Sequence, residues 1–296
     1  MSTLKKFAWL SVAASVVTII LKAGAWWLTG SVGLLSDAAE SLVNLVAAIV
    51  ALIAITIAER PADEDHQFGH SKAEYFSAGV EGAMIFIAAG SIIVLAVERL
   101  LNPQELEQLG VGLIVSVVAS IINGIVGTML IRAGRKHRSV TLTADGKHLL
   151  TDVITSIGVV VGVGLVWLTG WSALDPIVAI GVGINILFVG GGLVRKSAMG
   201  LMDATLSDED NSAIEAVLDS YRRSGEVDFH ELRTRESGVR RFVEFHALVP
   251  GSWSVERAHD LVENVESEIR DKLPDSHIAS HIEPIEDDRA YNDVHL

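Results

Sequence analysis

Two pairs of metal-competent side chains stand four residues apart inside long apolar stretches: Glu40 with Asn44, and His148 with Asp152. Four residues advance an α-helix by about one turn, so each pair shares one helix face. Together they offer an imidazole nitrogen and three oxygens, enough for a tetrahedral divalent cation. Ionisable groups are costly inside an apolar span, which marks them for ion handling. A hydrogen-bonded cluster bracing a helix bundle is the competing explanation. Asp37, one turn from Glu40, is a lesser candidate for assisting cation entry or protonation. A second group, Asp63, His66 and His70, has metal-ligand spacing in a polar loop, where a solvated loop accounts for it equally well. A third is spread over the C-terminal third: His230, His246, His259, His281 and Glu283. His281 and Glu283, two apart on a predicted strand, share one sheet face. The chain has no cysteine, so thiolate sites and disulfides are excluded, and any metal must be held by His, Asp, Glu or Asn.

The elements that carry these residues differ along the chain. Of the 296 residues 50% are hydrophobic, with a mean hydropathy of +0.41. The apolar residues concentrate before residue 200, in six runs near 7–29, 32–58, 76–98, 110–132, 143–169 and 175–194. A helix needs roughly 20 apolar residues to cross roughly 30 Å of hydrocarbon. The first run is too long for a signal-peptide core and shows no small-residue cleavage pattern, so it reads as a retained helix. Lys5, Lys6, Arg60, Lys72, Arg132, Arg135, Lys136, Arg138, Arg195 and Lys196 flank one side of the six runs, and Arg99 is nearly alone on the other. The positive-inside rule then places both termini in the cytoplasm of an inner (plasma) membrane protein. Glycines at 158, 162, 164 and 190–192 are small enough for close helix packing. Lys22 reads as a snorkelling lysine, and Glu81, Asn123 and Asn185 as helix–helix hydrogen-bonding residues.

After residue 206 the composition is that of a soluble domain, and the net charge of −14 falls almost wholly there. Such a surface argues against nucleic-acid binding, which needs a basic face. It suits collecting cations, or is a plain solvated surface. The pattern reads α-β-β-α-β: a helix from Asp208 capped by Ser207, strands over Phe229–Arg235 and Arg241–Val249 about the Ser237–Gly238 turn, a helix over Ser254–Lys272, and a strand over Ile278–Ile282. Residues after Glu286 read as a loose tail. The fold class is thus an all-α membrane bundle of six helices (1–206), an α+β cytoplasmic domain (207–290) and a tail (291–296).

Taken with these elements, the motifs resemble the cation diffusion facilitator family, near its bacterial zinc and iron exporters. Leu34-Leu35-Ser36-Asp37, the Phe-Gly-His-Ser-Lys-Ala-Glu of 68–74, His148 to Asp152, Asp175-Pro176 and Leu232-Arg233-Thr234-Arg235 stand where the family has like motifs. The resemblance covers nearly the whole chain. It implies a homodimer in the lipid bilayer, with a metallochaperone-like cytoplasmic domain. It implies Glu40, Asn44, His148 and Asp152 as the transport site, Asp63, His66 and His70 as a loop site, and His246, His259, His281, Glu283 and His230 as a two-metal cytoplasmic site. It also implies a charge interlock between Lys72 and Asp203. The expected activity is efflux of Zn2+ or Fe2+, with Mn2+, Co2+ and Cd2+ as further candidates, by metal/proton antiport. Two departures stand out: Glu then Asn in the second span, where relatives usually have His or Asp then Asp, and Glu283 where they often have Asp. A transport-impaired paralogue acting as metal sensor or partner subunit is the alternative, and a passive channel a weaker one. An enzyme is not expected, because no nucleophile–base set or phosphate-cradling loop is present.

Overall fold

The computed structural model describes residues 3–29, 32–102, 110–171 and 173–292; the side chains of 28, 29, 32–40, 43, 110–113, 116, 159, 160, 162–164, 166, 167 and 175 are outside that description. The chain divides into two compact units, Met1–Met199 and Gly200–Leu296.

The first unit is built of six long helices: α1 Thr3–Thr29, α2 Val32–Ala58, α3 Ala73–Leu101, α4 Gly110–Lys136, α5 Val140–Thr169 and α6 Leu174–Leu201. Among the described residues four stretches are long and apolar enough to cross a membrane: Thr3–Trp27, Ala73–Leu101, Val117–Lys136 and Pro176–Leu201. The helices run a turn or so beyond several of the apolar stretches, so that Arg135 and Lys136 fall in the last turn of α4, where cations suit the helix dipole. Large apolar side chains such as Ile20, Phe86, Ile121 and Phe188 are exposed on the helices, as expected for a surface whose solvent is lipid. Ala8, Ile55, Val126, Leu130, Leu142 and Leu149 form a shared core of α1, α2, α4 and α5.

Two contacts fix where α5 stands. At its crossing with α4, a Cβ on Gly146 would lie 2.7 Å from the Gly127 carbonyl, and one on Gly127 2.9 Å from the Gly146 carbonyl. The two backbones therefore touch, as small residues allow. At its start, the buried Glu74 carboxylate of α3 accepts from the Ser139 hydroxyl at 2.5 Å and the Thr141 amide at 3.2 Å. That carboxylate satisfies donors that the first turn of a helix leaves open. A Cβ added on Gly191 or Gly192, both singled out from sequence, would meet nothing within 4 Å among the described residues. A Cβ on Gly190 would lie 2.8 Å from the Phe86 amide nitrogen, and one on Gly158 2.8 Å from Val182 Cγ2. These two of the glycines singled out from sequence do sit at close approaches; Gly127 and Gly146 add another that no run of glycines announces.

The second unit is α7 Asp208–Arg222, β1 Asp228–Ser237, β2 Arg240–Val249, α8 Val255–Lys272, β3 Ser276–Pro284 and a 3-10 helix Asp288–Tyr291. The α-β-β-α-β pattern expected from sequence is the observed order, and Ser207 caps α7 by accepting from the Asp210 amide. The sheet order is β1-β2-β3, with β1 antiparallel and β3 parallel to β2. Ile214 and Leu218 of α7, and Ala258, Val262, Val265 and Ile269 of α8, share a core with Val243, Phe245, Ala247 and Val249 of β2. The period-2 alternation of β2 sends those residues to the helices and His246 to the opposite face. The expected loose tail is corrected in part. Asp287 caps the 3-10 turn, Ala290 is buried, and the Tyr291 hydroxyl donates to the Ile285 carbonyl at 3.0 Å, so local bonds order residues through Asn292.

Candidate functional site

Three polar clusters stand where the sequence places ligands. The first lies inside the helical unit. Asn44 of α2 is buried between two residues of α5: its Oδ1 is 2.9 Å from His148 Nε2, and its Nδ2 donates to Asp152 Oδ2. An amide oxygen only accepts, so the imidazole nitrogen facing it carries the proton. The amide nitrogen only donates, so its partner oxygen on Asp152 is an acceptor. The i,i+4 spacing of His148 and Asp152 lets one amide reach both. Glu40 and Asp37 lie on α2, outside the described side chains, so three of the four expected ligands are seen together.

A further residue joins this cluster. Asn123 of α4 donates to Asp152 Oδ2 at 3.5 Å, and its own Oδ1, buried, has no hydrogen-bond partner among the described residues. From sequence Asn123 reads as a helix–helix hydrogen-bonding residue. It is one, but its acceptor is an expected ligand, and the Gly127–Gly146 contact is what brings α4 close enough. Asn185 is exposed and Lys22 half-buried.

The second cluster lies in the loop between α2 and α3. Asp63 Oδ1 is 3.1 Å from His66 Nδ1, and Asp63 Oδ2 is 3.3 Å from His70 Nε2. The His66 amide donates to the same Asp63 at 2.7 Å, closing a tight turn. Gly69, at φ 81°, completes the turn with its amide on the His66 carbonyl. One ligand atom from each of the three residues lies within 4.8 Å of the others. The buried Nδ1 of His70 has no hydrogen-bond partner among the described residues. Partial desolvation acts to raise the Asp63 carboxyl, but the His66 amide and the His66 and His70 rings outweigh it and hold it below its ordinary range.

The third cluster is a row across the sheet. Register puts His230 of β1 opposite His246 of β2, and His246 opposite His281 of β3. Glu283 Oε2 is 3.0 Å from His230 Nε2 and 3.2 Å from His246 Nδ1, and Glu283 Oε1 is 3.6 Å from His281 Nε2. A bulge between His230 and Arg233, with Glu231 at φ 49°, follows the row on β1. Such bulges re-aim side chains at a sheet rim. His230, His246 and Glu283 bring ligand atoms within 4.8 Å of one another. His259 is not brought to this row within the chain: it is exposed on α8, 4.0 Å from Glu263. Of the interlock pair, Lys72 is the residue before α3, and Asp203, at φ 57°, pairs with Arg235 at 3.1 Å inside the second unit.

Residues 8–202 match the cation efflux transmembrane domain, and residues 206–285 match the cytoplasmic domain of cation efflux proteins. An uncharacterized transporter of Synechocystis sp. is 49% identical over 287 residues, covering 97% of this chain and 92% of that protein. The cation-efflux pump FieF of Citrobacter koseri is 32% identical over 277 residues, covering 93% and 91%. Among solved structures, CzrB in its Zn form is 35% identical and covers 27% of this chain and 90% of that one, with a TM-score of 0.26. The metal-bound C-terminal domain of the CzcD transporter from Thermotoga maritima is 29% identical, covering 27% and 92%, with a TM-score of 0.25.

Proposed function

The chain belongs to the cation efflux family, and from that premise we propose that it exports a divalent transition-metal cation in exchange for protons, by alternating access. The observation that carries the reading is the Asn44–His148–Asp152 triad within the helical unit, with Asn44 and His148 buried. Glu40, on the same face of α2 as Asn44, is the fourth ligand of the proposal. A metal ligand must be deprotonated, so cation and proton compete for the same lone pairs. His148 is the natural carrier, because imidazole exchanges its proton near physiological pH. With the site open to the cytoplasm, a cation displaces the Nε2 proton and Asn44 turns its oxygen to the cation. With the site open outward, protons displace the cation, and the proton gradient drives export.

The substrate of the proposal is Zn2+ or Fe2+. The hard amide oxygen of Asn44 tilts the set towards iron, manganese or cobalt, and cadmium belongs in the same test panel. The protein works as a homodimer in the plasma membrane with both termini in the cytoplasm. The His230, His246, His281 and Glu283 row, with His259, takes metal and draws two acidic domains together by offsetting their repulsion. Asp63, His66 and His70 take a further ion in the loop. Lys72 and Asp203 tie the helices to the hinge of the cytoplasmic domain.

The test is metal flux through purified protein in liposomes, for each ion, across a range of pH gradients. Saturable flux that follows the gradient is expected; flux indifferent to it removes the exchange. One observation favours a second reading. Both polar atoms of Asn44 are engaged, one by His148 and one by Asp152, which fits a transport-impaired sensor or partner subunit. Loss of metal resistance on deletion, restored by wild type but not by Asp152→Ala, decides against it.

A further inference from the structure

Helix α4 ends in a run of cations that no carboxylate balances. Arg132, Arg135, Lys136 and Arg138 stand close together, and no Asp or Glu occurs from Gln108 to Ala144. Arg132, Arg135 and Lys136 are exposed, and none of the three has an ion-pair partner among the described residues. Lys5, at the start of α1, is by contrast paired with Glu59 at 3.0 Å.

The three free cations share one stripe of the helix with apolar side chains. At 3.6 residues per turn, the exposed Ile114, Val118, Ile121, Ile125 and Met129 fall on one face of α4, and Arg132, Arg135 and Lys136 continue it. The opposite face, with Asn123, Val126, Leu130 and Ala133, is buried. There a Cβ on Gly127 would lie 2.9 Å from the Gly146 carbonyl, and one on Gly134 2.8 Å from the Thr143 amide nitrogen of α5. That close packing fixes the rotation of α4, so the stripe cannot turn inward.

The stripe changes character at one depth. From Ile114 to Met129 it runs apolar for about 22 Å, and Lys136 lies about 10 Å further on. The headgroup layer is about 5–8 Å thick on each side of the hydrocarbon, so a helix that puts the apolar stripe in lipid puts the cations among headgroups. Their long stems reach outward to the charge there. The negative end of the helix dipole offsets about half of one elementary charge, against three whole ones. The continuity of basic and apolar parts selects a ligand with both an anionic head and an apolar tail.

We propose that the basic end of the α4 stripe is a binding surface for the phosphates of anionic phospholipids. Arg132, Arg135 and Lys136 hold the headgroup, and Met129 and Ile125 meet its chains. Each cation near an anionic lipid surface is worth about fivefold in affinity, so the three together supply about a hundredfold. The surface serves whichever cation the protein moves, and it stands without the exchange reading.

The experiment gives full-length protein in a nonionic detergent either phosphatidylglycerol or phosphatidylcholine with the same chains, and counts retained lipid by native mass spectrometry. Wild type is expected to retain phosphatidylglycerol over phosphatidylcholine by more than about tenfold; no preference overturns the proposal. Arg132→Gln, Arg135→Gln and Lys136→Gln together keep good helix formers on an exposed face and should remove that preference by at least about tenfold. Unchanged retention in this variant means the lipid sits elsewhere, and also overturns the proposal. Arg132→Gln alone, with an expected loss of about fivefold, gives the same reading should the triple variant not fold. Arg132→Lys with Arg135→Lys keeps the charge and should stay within about threefold of wild type. A loss as large as in the glutamine variant would show that charge does not hold the headgroup, and overturns the proposal. Displacement of the lipid by an equal concentration of inorganic phosphate would make this a site for free phosphate and refute the lipid assignment.

Discussion

Replacing Glu283 by glutamine tests the cytoplasmic site with little change of shape. Glu283 Oε2 lies 3.0 Å from His230 Nε2 and 3.2 Å from His246 Nδ1, so one carboxylate aligns two imidazoles. A divalent cation and a carboxylate at a ligand distance of about 2.1 Å attract by about 4 kcal/mol even at the dielectric of bulk water. Glutamine keeps an oxygen ligand and is cheaper to desolvate, which returns about half of that. The expected net loss is about 2 kcal/mol, or about 30-fold in zinc affinity. The assay is competition against a chromophoric chelator, with a soluble fragment of residues 204–296. Starting at 204 keeps the Ala204 carbonyl that accepts from Glu236, the Thr205–Thr234 contact and the buried Leu206. Glu263→Gln, whose carboxylate lies 4.0 Å from the exposed His259 and away from the sheet row, is the control and should change affinity by less than about twofold. If Glu283→Gln binds zinc within about threefold of wild type, the carboxylate does not ligate and the reasoning from this row is wrong.

Four further outcomes are expected. Asn44→Leu removes both bonds of the amide and should cut zinc flux into liposomes by about a hundredfold, since a buried ligand is lost and Asp152 loses its closer amide donor; full flux would contradict the site. Gly146→Ala forces a methyl against the Gly127 carbonyl and the Ile131 backbone nitrogen, and should cost about 1–3 kcal/mol in detergent unfolding, while Gly191→Ala, with open space around it, should not. His66→Ala strips the ring and one Coulombic partner from Asp63, so its carboxyl should titrate upward, towards the ordinary range, in carbon-detected NMR; no movement would mean the turn alone sets it. Reversing both Lys72 and Asp203 should restore transport lost on reversing either one, and failure of rescue counts against the interlock.

The fold was legible wherever one period dominated. The long apolar runs gave the six helices, and Val243, Phe245 and Ala247 gave the buried face of β2 because strand alternation is strict. The His230–His246–His281 row was legible only in part. Each residue reads from sequence as a loose histidine, and it is strand register, a long-range property, that aligns them. Asn123 reads from sequence only as a helix–helix hydrogen-bonding residue, because its place beside Asp152 depends on two glycines, 127 and 146, from different helices. The same limit applies to His259: residue type nominates it, but α8 turns it towards Glu263.

Asparagine at position 44 has a physical logic that follows from the bonds it makes. An aspartate there would face the Asp152 carboxylate across the gap that the amide now bridges. Two carboxylates about 4 Å apart repel by about 4 kcal/mol at an effective dielectric of about 20, so the empty site would stay strained until a cation or a proton arrived. The amide replaces that repulsion by a donated hydrogen bond and presents its oxygen to the His148 N–H. The empty state is therefore satisfied without a cation, and the cation gains less by binding. An exporter must return empty as readily as it leaves loaded, and a site whose polar atoms pair with each other between cargoes lowers the barrier to that return. On the proposed transport reading, asparagine in place of a second carboxylate trades grip on the metal for turnover. Asn44→Asp should accordingly bind zinc more tightly and release it more slowly, and a variant that bound more tightly yet turned over faster would show that the return of the empty site does not limit the cycle.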